Sequence, residues 1–444
     1  MSPGDRVFHP IFGHGTIQRV QGRMTEVQFD DHAPTFRMTQ ADLVPVEAPE
    51  LALPPMHPDD AVQALEALRL GVVPATAAAA MTVRRDNQID AIHGLLGCGS
   101  GLRVVRGPYG SGKTHMLEVG SAEALAANWL VATATFDPQD ISPSHPIRIY
   151  GALIRGLRYP SGEVGSGLLP LLEKIPADAD HLVGTRSHRW LSAALFAVHN
   201  APDLVYRVLD LIEGQAPLEA HTQVYQALRQ RGYRGPKLYM LRDVRTIGQI
   251  VAYLLGGIAS WAKEAGYQGL FLVLDEAEFV DRLGSADRLL AKHMLSFLAM
   301  ATLPEDKLAF DPEDLHRGGH EVHRRIPVRF TDDQPLAAIT AFTPNPAIDE
   351  VLSQILKDDS PIELDVLGHS AAEELADRVL ALVRIAHPHV DPPSTDRRVI
   401  RQIVGHLARR HELESTRDIA KVIVTLWDLY RLRGPEVALH AARS

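Results

Sequence analysis

The sequence of 444 residues contains a single cysteine, Cys98, and this scarcity excludes two kinds of site. An intrachain disulfide needs two cysteines, and a structural zinc site usually draws on several thiolates. Neither can be built within this chain. Cys98 stands in a Leu-Gly-Cys-Gly-Ser run just before an apolar strand, where we expect a small packed residue and not a nucleophile.

Long hydrophobic runs are also missing. No apolar stretch reaches the roughly 20 residues that cross a bilayer, and the first residues lack the charged and apolar regions of a secretory signal. The composition, 45% hydrophobic and 23% charged, is typical of globular proteins, and the length indicates roughly two to four domains. We therefore expect a soluble, cytoplasmic protein that does not contact a membrane.

The chain has no excess of positive charge. It carries 45 Lys and Arg against 55 Asp and Glu, a net charge of −10. Proteins that bind nucleic acid through a broad surface are usually basic. Any contact with DNA must therefore be local or created by assembly of several copies, and the sequence leaves a homo-oligomer open.

What the sequence does contain is a complete phosphate-binding loop. The run Gly107–Thr114 fits the pattern GxxxxGK[ST] and lies between the apolar run Leu102–Val105 and a helix-like run. Its glycines let backbone N–H groups turn toward phosphates where side chains would block them. Lys113 would reach the β- and γ-phosphates, and the Thr114 hydroxyl would hold Mg²⁺. The predicted nucleotide-binding residues are Gly107, Pro108, Tyr109, Gly110, Ser111, Gly112, Lys113, Thr114 and His115.

A second motif is an apolar strand that ends in acids. Residues 270–274 are five consecutive apolar residues, as in a central parallel strand covered on both faces, and acids follow at 275, 276 and 278. Asp275 would stand where a doubly wound sheet binds its ligands and would hold Mg²⁺ through its water shell. Glu276 would polarise the attacking water. Acids that follow an apolar strand are usually just a solvated strand end. The phosphate loop upstream in the same chain favours a catalytic role for these acids instead.

Changes in pattern along the chain predict four segments. Residues 1–46 contain five short strands separated by turn residues, which fit a small barrel. Four prolines within residues 47–58 indicate a semi-rigid linker. Strand-helix alternation over residues 59–360 predicts an ATPase core, and the distance between the two motifs requires a helical insertion at about 147–262. Residues 361–444 read as a helical or winged-helix lid.

The predicted fold class is therefore a multidomain α/β protein. It combines a small SH3-like β-barrel, a parallel P-loop sheet of the AAA+ type with a helical insertion, and a C-terminal lid. The barrel segment, with Gly4–Ile17 followed by Glu26–Asp30, resembles the Tudor (SH3-like) module of UvrD/PcrA-type helicases and the polymerase-interacting module of CarD-type factors. That resemblance implies a protein-docking role. A barrel that only packs on its neighbour is the competing interpretation.

Four further runs carry a family resemblance for residues 60–440: Ala64–Pro74, Leu102–Thr114, Ser144–Tyr150 and Leu274–Glu278. Together they resemble the ATP-binding BREX proteins of the BrxD kind, bacterial anti-phage ATPases related to the origin-recognition branch of AAA+. The chain departs from that pattern in two places. Arg84 stands where such ATPases usually have a glycine, which leaves the adenine pocket open, and the N-terminal module is an addition.

The resemblance also implies roles for polar residues outside the two motifs. Thr340 or Thr343, at the end of the fourth strand, is similar to the polar sensor that orients the lytic water, and Thr343 is preferred because it ends the strand. Arg417, at the start of a lid helix, is similar to the second sensor, which touches the γ-phosphate; the competing interpretation is a surface ion pair. One of Arg324, Arg325 and Arg329 would act as an arginine finger from a neighbouring subunit, although a solvated loop arginine is the simpler interpretation.

Two remaining clusters have simpler explanations. His316, His320 and His323 have a spacing compatible with metal binding, but no cysteine or paired acid supports it. Arg397, Arg398 and Arg401 put positive charge on one lid helix, where DNA contact stays open, but residues 361–444 balance twelve basic against twelve acidic side chains. A solvated helix face is preferred.

The expected function is an ATP-binding and ATP-hydrolysing component of an anti-phage system, with ATP and Mg²⁺ as cofactors. The implied partners are other defence-system proteins of the helicase or methylase type. DNA binding stays open, as does binding of RNA polymerase through residues 1–46. Two alternatives remain. One is a scaffold held together by bound ATP with slow, incidental hydrolysis, and the other is an adaptor that docks on polymerase or helicase. Glu276 favours hydrolysis, because a pure binding module needs no acid to polarise water.

Overall fold

The computed structural model divides the chain into two compact units, residues 1–54 and 55–444. The residues that it describes are 3, 6–30, 32, 34–45, 53–137, 139–160, 165–216, 220–241, 247–315, 325–358, 360–389, 400–401, 403–405, 407–408, 415–434, 436–437 and 440. The first half of the predicted linker, residues 47–52, and the histidines at 316, 320 and 323 lie outside this set, as do Arg324, Arg397 and Arg398.

The first unit is a five-stranded antiparallel sheet. Its small core consists of Val7, Ile17, Val27, Phe29 and Leu43. The sheet order is β4-β3-β2-β1-β5, and the strands are β1 (Arg6–His9), β2 (Gly13–Gln21), β3 (Met24–Phe29), β4 (Thr35–Thr39) and β5 (Val44–Pro45). The side chains of β3 alternate between buried and half-buried, the period-two pattern of a strand with one face in the core. Five strands are thus present as predicted, and closure into an SH3-like barrel stays a prediction.

Deletion of residues 1–46 should leave the second unit folded and its nucleotide binding unchanged. The reason is that residues 1–54 form a compact unit with a core of their own. The measurement is circular dichroism and ATP affinity of the truncated chain against the full chain. A loss of more than about tenfold in ATP affinity would contradict the division of the chain into two independent units.

The second unit is built on a five-stranded parallel sheet of order β10-β6-β9-β8-β7. The strands are β6 (Gly101–Arg106), β7 (Leu130–Thr135), β8 (Leu270–Asp275), β9 (Leu336–Phe342) and β10 (Ile362–Glu363). Every residue of β8 and β9 is buried, as expected for central strands covered on both faces. Because β9 lies between β6 and β8, the carboxyl ends of these three strands are neighbours. The phosphate loop, Thr343 and Asp275 therefore meet at one edge of the sheet.

Helices of the second unit pack on both faces of this sheet and, in the C-terminal part, on one another. The helices of the unit are α1 (Pro58–Arg69), α2 (Ala78–Met81), α3 (Asp86–Cys98), α4 (Lys113–Ala126), α5 (Pro146–Arg155), α6 (Leu169–Lys174), α7 (Ala179–Leu182), α8 (Leu191–Asn200), α9 (Val205–Ile212), α10 (Ala220–Gln230), α11 (Gly248–Glu264), α12 (Ser285–Thr302), α13 (Pro346–Ser353), α14 (His369–Ala386) and α15 (Thr416–Arg433). None of these described helices is long and apolar enough to cross a membrane.

Alternate residues of β8 separate the two cores. Phe271 and Val273 pack with α3 and α4 on one face, whereas Leu270, Leu272 and Leu274 pack with the helices of the insertion and with α12 on the other. The helices α5 to α11 lie between β7 and β8 in sequence, where the helical insertion of about 147–262 was predicted. The insertion therefore contributes its own buried side chains to the sheet and is part of the same unit.

The C-terminal helices α14 and α15 pack together with α1. Arg69 at the end of α1 donates two hydrogen bonds to Asp428 of α15, and this pairing raises the pKa of the guanidinium. These three helices are called the lid below, so the name now includes α1 in addition to helices of the predicted lid segment 361–444. Beyond Glu363 the described residues contain helices and no strand pair of a winged helix, so the lid is helical there.

Candidate nucleotide-binding and catalytic site

The phosphate loop joins β6 to α4 and depends on glycine at three points. Gly110 and Gly112 have φ of 77° and 97°, the left-handed region that glycine tolerates best. A methyl group on Gly107 would overlap Ser111 Oγ and the Leu364 carbonyl, and one on Gly110 would overlap Ser415. A methyl group on Gly112 would meet nothing within 4 Å, so the loop is open beside this residue.

Lys113, the first residue of α4, is a buried cation, 9% exposed. Its Nζ donates to the Gly107 carbonyl (3.2 Å), the Pro108 carbonyl (3.3 Å) and Thr343 Oγ1 (2.9 Å). In the described part of the chain, no carboxylate lies within ion-pair distance of Nζ. Asp275 and Glu276 act on this charge only at longer range, and a buried charge without a contacting counter-ion is costly. The site is therefore suited to an anionic ligand.

Thr114 and Asp275 join the two motifs directly. Thr114 Oγ1 donates to Asp275 Oδ2 at 2.7 Å, and the backbone N–H of Glu276 donates to Asp275 Oδ1 at 2.8 Å. Burial raises the pKa of Asp275, which is 8% exposed, against the opposing effect of these hydrogen bonds. A threonine hydroxyl paired with a carboxylate offers the hard oxygen ligands that Mg²⁺ prefers.

Glu276 occupies an unusual backbone conformation between β8 and a short 3-10 helix, Ala277–Arg282. Its φ of 61° is left-handed, a conformation that costs a non-glycine residue about 1–3 kcal/mol. Burial, and then the carboxylates of Glu278 and Asp275, raise the pKa of Glu276. Glu278 Oε2 is buried and has no hydrogen-bond partner among the described residues. The strand end thus holds three acids close together, one of them on a strained backbone.

The two candidate threonines at the end of β9 are placed differently. Thr343 directly follows the strand and accepts the hydrogen bond from Lys113. Thr340 lies within β9, and its buried hydroxyl has no hydrogen-bond partner among the residues the structure describes. Of the two, only Thr343 contacts a residue of the phosphate loop, and its sensor role stays a prediction.

A cluster under the phosphate loop was not predicted from the sequence. The Arg85 guanidinium donates to the backbone carbonyls of Ser111 and Asp365 and so connects the loop to the segment after β10. His115 Nε2 lies 2.9 Å from Thr82 Oγ1, which itself donates to the Ala78 carbonyl. Burial, with a smaller effect from Arg85, lowers the pKa of His115 to about 4, so the imidazole is neutral near pH 7. Nothing in the local pattern around Arg85 signals a contact with Asp365.

The start of α15 lies on the phosphate loop. Ser415 caps the helix by accepting a hydrogen bond from the Asp418 N–H, as the Ser-Thr helix start predicted. The Thr416 N–H donates to the Gly110 carbonyl at 2.9 Å. Arg417 Nη1 donates to the Tyr109 hydroxyl at 2.8 Å. The lid therefore contacts the loop through its backbone and through the predicted second-sensor arginine.

Arg84 contacts the lid at a second point. It has φ of 48°, a conformation in which glycine would be favoured, and its side chain donates to Ser370 Oγ at 2.8 Å and pairs with Glu374 at 3.4 Å. Both partners lie in α14. The Arg84 side chain is therefore turned toward the lid helix.

Other predicted residues have structural roles. Arg329 donates to the carbonyls of Met300, Leu303 and Asp332, so this arginine is not a solvated loop residue. Arg401 pairs with two acids of α14, Glu373 at 3.4 Å and Asp377 at 3.3 Å, which neutralise its charge.

Cys98 is exposed, so the prediction of a packed cysteine was wrong. It ends α3 and lines a polar cavity of about 250 Å³ at the amino edge of the sheet, away from the phosphate loop.

Residues 56–211 match a family described as the BREX system ATP-binding protein BrxC/D, about a third of the chain that includes the phosphate loop. No match was found among curated proteins. Among solved structures, the Walker-type ATPase paby2304 of Pyrococcus abyssi is similar at 12% identity, over 81% of this chain and 71% of that chain, with a TM-score of 0.36. A superposition this loose transfers no site residue.

The family match agrees with the resemblance seen in the sequence and supports nucleotide binding by this unit. It ends before β8, so the assignments of Asp275, Glu276, Thr343 and Arg417 rest on the geometry alone. Among the described residues, no group of three or more His, Cys, Asp or Glu side chains is arranged to hold a metal ion. A metal ion at Thr114 and Asp275 would therefore need further oxygens from the nucleotide and water.

Proposed function

We propose that residues 55–444 form an Mg²⁺-dependent ATPase that serves as the ATP-binding and ATP-hydrolysing component of a BREX-like bacterial defence system. The observation that carries the proposal is the buried Lys113 ammonium, which has neutral oxygen partners and stands beside the Thr114–Asp275 pair. A buried cation, a hydroxyl–carboxylate pair and a neighbouring acid are the groups that phosphoryl transfer requires. The match of residues 56–211 to the BREX system ATP-binding family supports both ATP as the bound nucleotide and a role in a BREX-like system.

The residues present fit Mg²⁺ and ATP. The hydroxyl of Ser111 is buried without a hydrogen-bond partner among the described residues, and the loop is open beside Gly112, so the loop has both room and an unused polar group. Thr114 and Asp275 would hold Mg²⁺, which supplies neutralisation of charge on the phosphate oxygens. Lys113 would bind the β- and γ-phosphates, Thr343 would orient the attacking water, and Glu276 would accept its proton.

The test is direct measurement on the full chain. Calorimetry should detect ATP binding that weakens when Mg²⁺ is removed with a chelator, and a phosphate-release assay should detect turnover only with Mg²⁺. Absence of ATP binding under both conditions would overturn the proposal. Binding without turnover would instead favour the ATP-gated scaffold.

The lid supplies a route from nucleotide to partner. The start of α15 contacts the phosphate loop, and α14 contacts Arg84, whose neighbour Arg85 donates to the Ser111 carbonyl of the loop. A change at the phosphates could therefore reach both of these lid helices through these contacts. We propose that ATP binding and hydrolysis change the lid position and so the engagement of DNA or of another defence protein of the helicase or methylase type. Turnover measured with and without single- and double-stranded DNA tests the DNA branch.

The first unit offers a second candidate function, docking on RNA polymerase or a helicase through an SH3-like module. The observation that favours it is a partly exposed aromatic cluster around Phe12, with ring centroids 4.6 Å from Phe36 and 4.9 Å from His9. Ile11 beside it is 80% exposed. A pull-down of RNA polymerase by residues 1–54 that Phe12→Ala abolishes would support the adaptor function.

Arg417→Ala is expected to leave ADP affinity unchanged, to remove discrimination between ATP and ADP, and to lower turnover. A guanidinium that binds the γ-phosphate loses its partner when that phosphate leaves, so its contribution is confined to the triphosphate state. The measurement is calorimetry with both nucleotides and a phosphate-release assay. Arg431→Ala, at the far end of α15, is the matched control. Full discrimination and turnover in Arg417→Ala would show that Arg417 is a surface residue.

A further inference from the structure

The guanidinium of Arg417 is held by one side chain of the phosphate loop. Its Nη1 donates to the Tyr109 hydroxyl at 2.8 Å, and its central carbon lies 5.5 Å from the centre of the Tyr109 ring. Tyr109 is 69% exposed, although a large aromatic side chain is usually more buried than that. The Tyr109 ring therefore contacts Arg417 and is not packed in the hydrophobic core.

The stem of Arg417 is fixed as well. A methyl group built on Gly71 would overlap Cγ of Arg417, and Gly71 has φ of 74°, so the arginine stem lies directly on a glycine backbone. The backbone beside it is anchored by the hydrogen bond from the Thr416 N–H to Gly110. Arg417 therefore has a fixed base and stem, and its head can exchange partners by rotation about its terminal bonds.

The Arg417 guanidinium has only a neutral hydrogen-bond acceptor, the Tyr109 hydroxyl, among the contacts described. Among the described residues, no carboxylate lies within ion-pair distance of the Arg417 guanidinium; the nearby Asp418 carboxylate accepts from the Ser415 hydroxyl at 2.7 Å. A neutral phenol is a weaker acceptor than a phosphate oxygen, because a hydrogen bond between two charged groups is roughly twice as strong as a neutral one. A γ-phosphate would therefore compete successfully for Arg417.

We propose that Tyr109 is a specificity-determining residue. Its hydroxyl competes with the γ-phosphate for Arg417 and thereby sets how strongly the site prefers ATP over ADP. The γ-phosphate gains Arg417 only by displacing Tyr109, so part of its binding free energy is offset by loss of the Tyr109–Arg417 contact. ADP leaves that contact intact. The inference rests on the proposed function, because it assigns a competitor to the predicted γ-phosphate contact.

The test is Tyr109→Phe in a Glu276→Gln background, in which hydrolysis does not disturb calorimetry. Removal of the hydroxyl frees Arg417, so ATP affinity should rise roughly three- to tenfold, the worth of one hydrogen bond, while ADP affinity stays the same. In a Tyr109→Phe, Arg417→Ala double variant the gain should vanish, because the competition needs both partners. Tyr206→Phe, another exposed tyrosine at 72% exposure in α9, is the control and should change neither affinity.

Three outcomes would overturn the inference while the proposed function stands: unchanged affinities for both ATP and ADP, an equal loss of both affinities, or a gain in ATP affinity that persists in the double variant. An equal loss would mean that the Tyr109 hydroxyl binds the nucleotide itself. If the Glu276→Gln parent binds neither nucleotide, the proposed function fails first and the inference falls with it.

Discussion

Lys113→Ala should abolish measurable nucleotide binding. The wild-type ammonium is buried, with the Gly107 and Pro108 carbonyls and the Thr343 hydroxyl as its partners, and the phosphates would be its natural counter-ion. Removing one partner of a buried ion pair costs about 3–5 kcal/mol, which corresponds to a loss of roughly 10²- to 4 × 10³-fold in affinity. Calorimetric titration with ATP and Mg²⁺ measures the loss.

The control for this variant must separate binding from folding. Without nucleotide, Lys113→Ala should unfold at nearly the wild-type temperature or above it, because it removes a buried charge that no described carboxylate contacts within ion-pair distance. Lys263→Ala, an exposed lysine near the end of α11 at the amino edge of the sheet, should bind ATP as the wild type does. Near-native ATP affinity in Lys113→Ala would contradict the assignment of the phosphate loop.

The motifs of this site were predictable because each is local in sequence. The phosphate loop is defined by closely spaced glycines, and Asp275 follows an unbroken apolar strand, so both could be identified without knowledge of distant contacts. Their meeting at one sheet edge followed from a general rule about the carboxyl ends of parallel strands. The Thr114–Asp275 hydrogen bond agrees with that expectation.

Contacts between distant segments were not predictable. The pairing of Arg69 with Asp428 and the position of Tyr109 against Arg417 join residues more than 300 positions apart, and no periodicity along the chain encodes such pairs. The left-handed backbone of Glu276 was equally hidden, because glutamate has no preference for that conformation. Only the surrounding structure holds it there. The sequence therefore indicated which chemistry to expect but not how the lid reaches it.

The backbone of Glu276 bears on its role. A strained left-handed residue persists only where its surroundings over-determine it, and such residues cluster at active sites. Here the Glu276 N–H is bound by Asp275 Oδ1, which fixes the residue immediately after the proposed Mg²⁺ ligand. Glu276 is also within electrostatic range of Lys113, whose positive charge opposes the rise in its pKa. A carboxylate in this position is suited to accept a proton from water beside bound phosphates.

Glu276→Gln should therefore bind ATP with native affinity and hydrolyse it at least about 10²-fold more slowly, because the amide keeps the shape of the side chain but cannot accept the proton. Binding is measured by calorimetry and turnover by phosphate release under single-turnover conditions. Glu278→Gln, two residues further on, is the matched control, and it should retain most of the activity. Asp275→Asn should differ from both, since it would raise the Mg²⁺ concentration needed for turnover as well as lower the rate. Unchanged turnover in Glu276→Gln combined with a large loss in Glu278→Gln would transfer the role of base to Glu278, whose buried oxygen has no hydrogen-bond partner among the described residues.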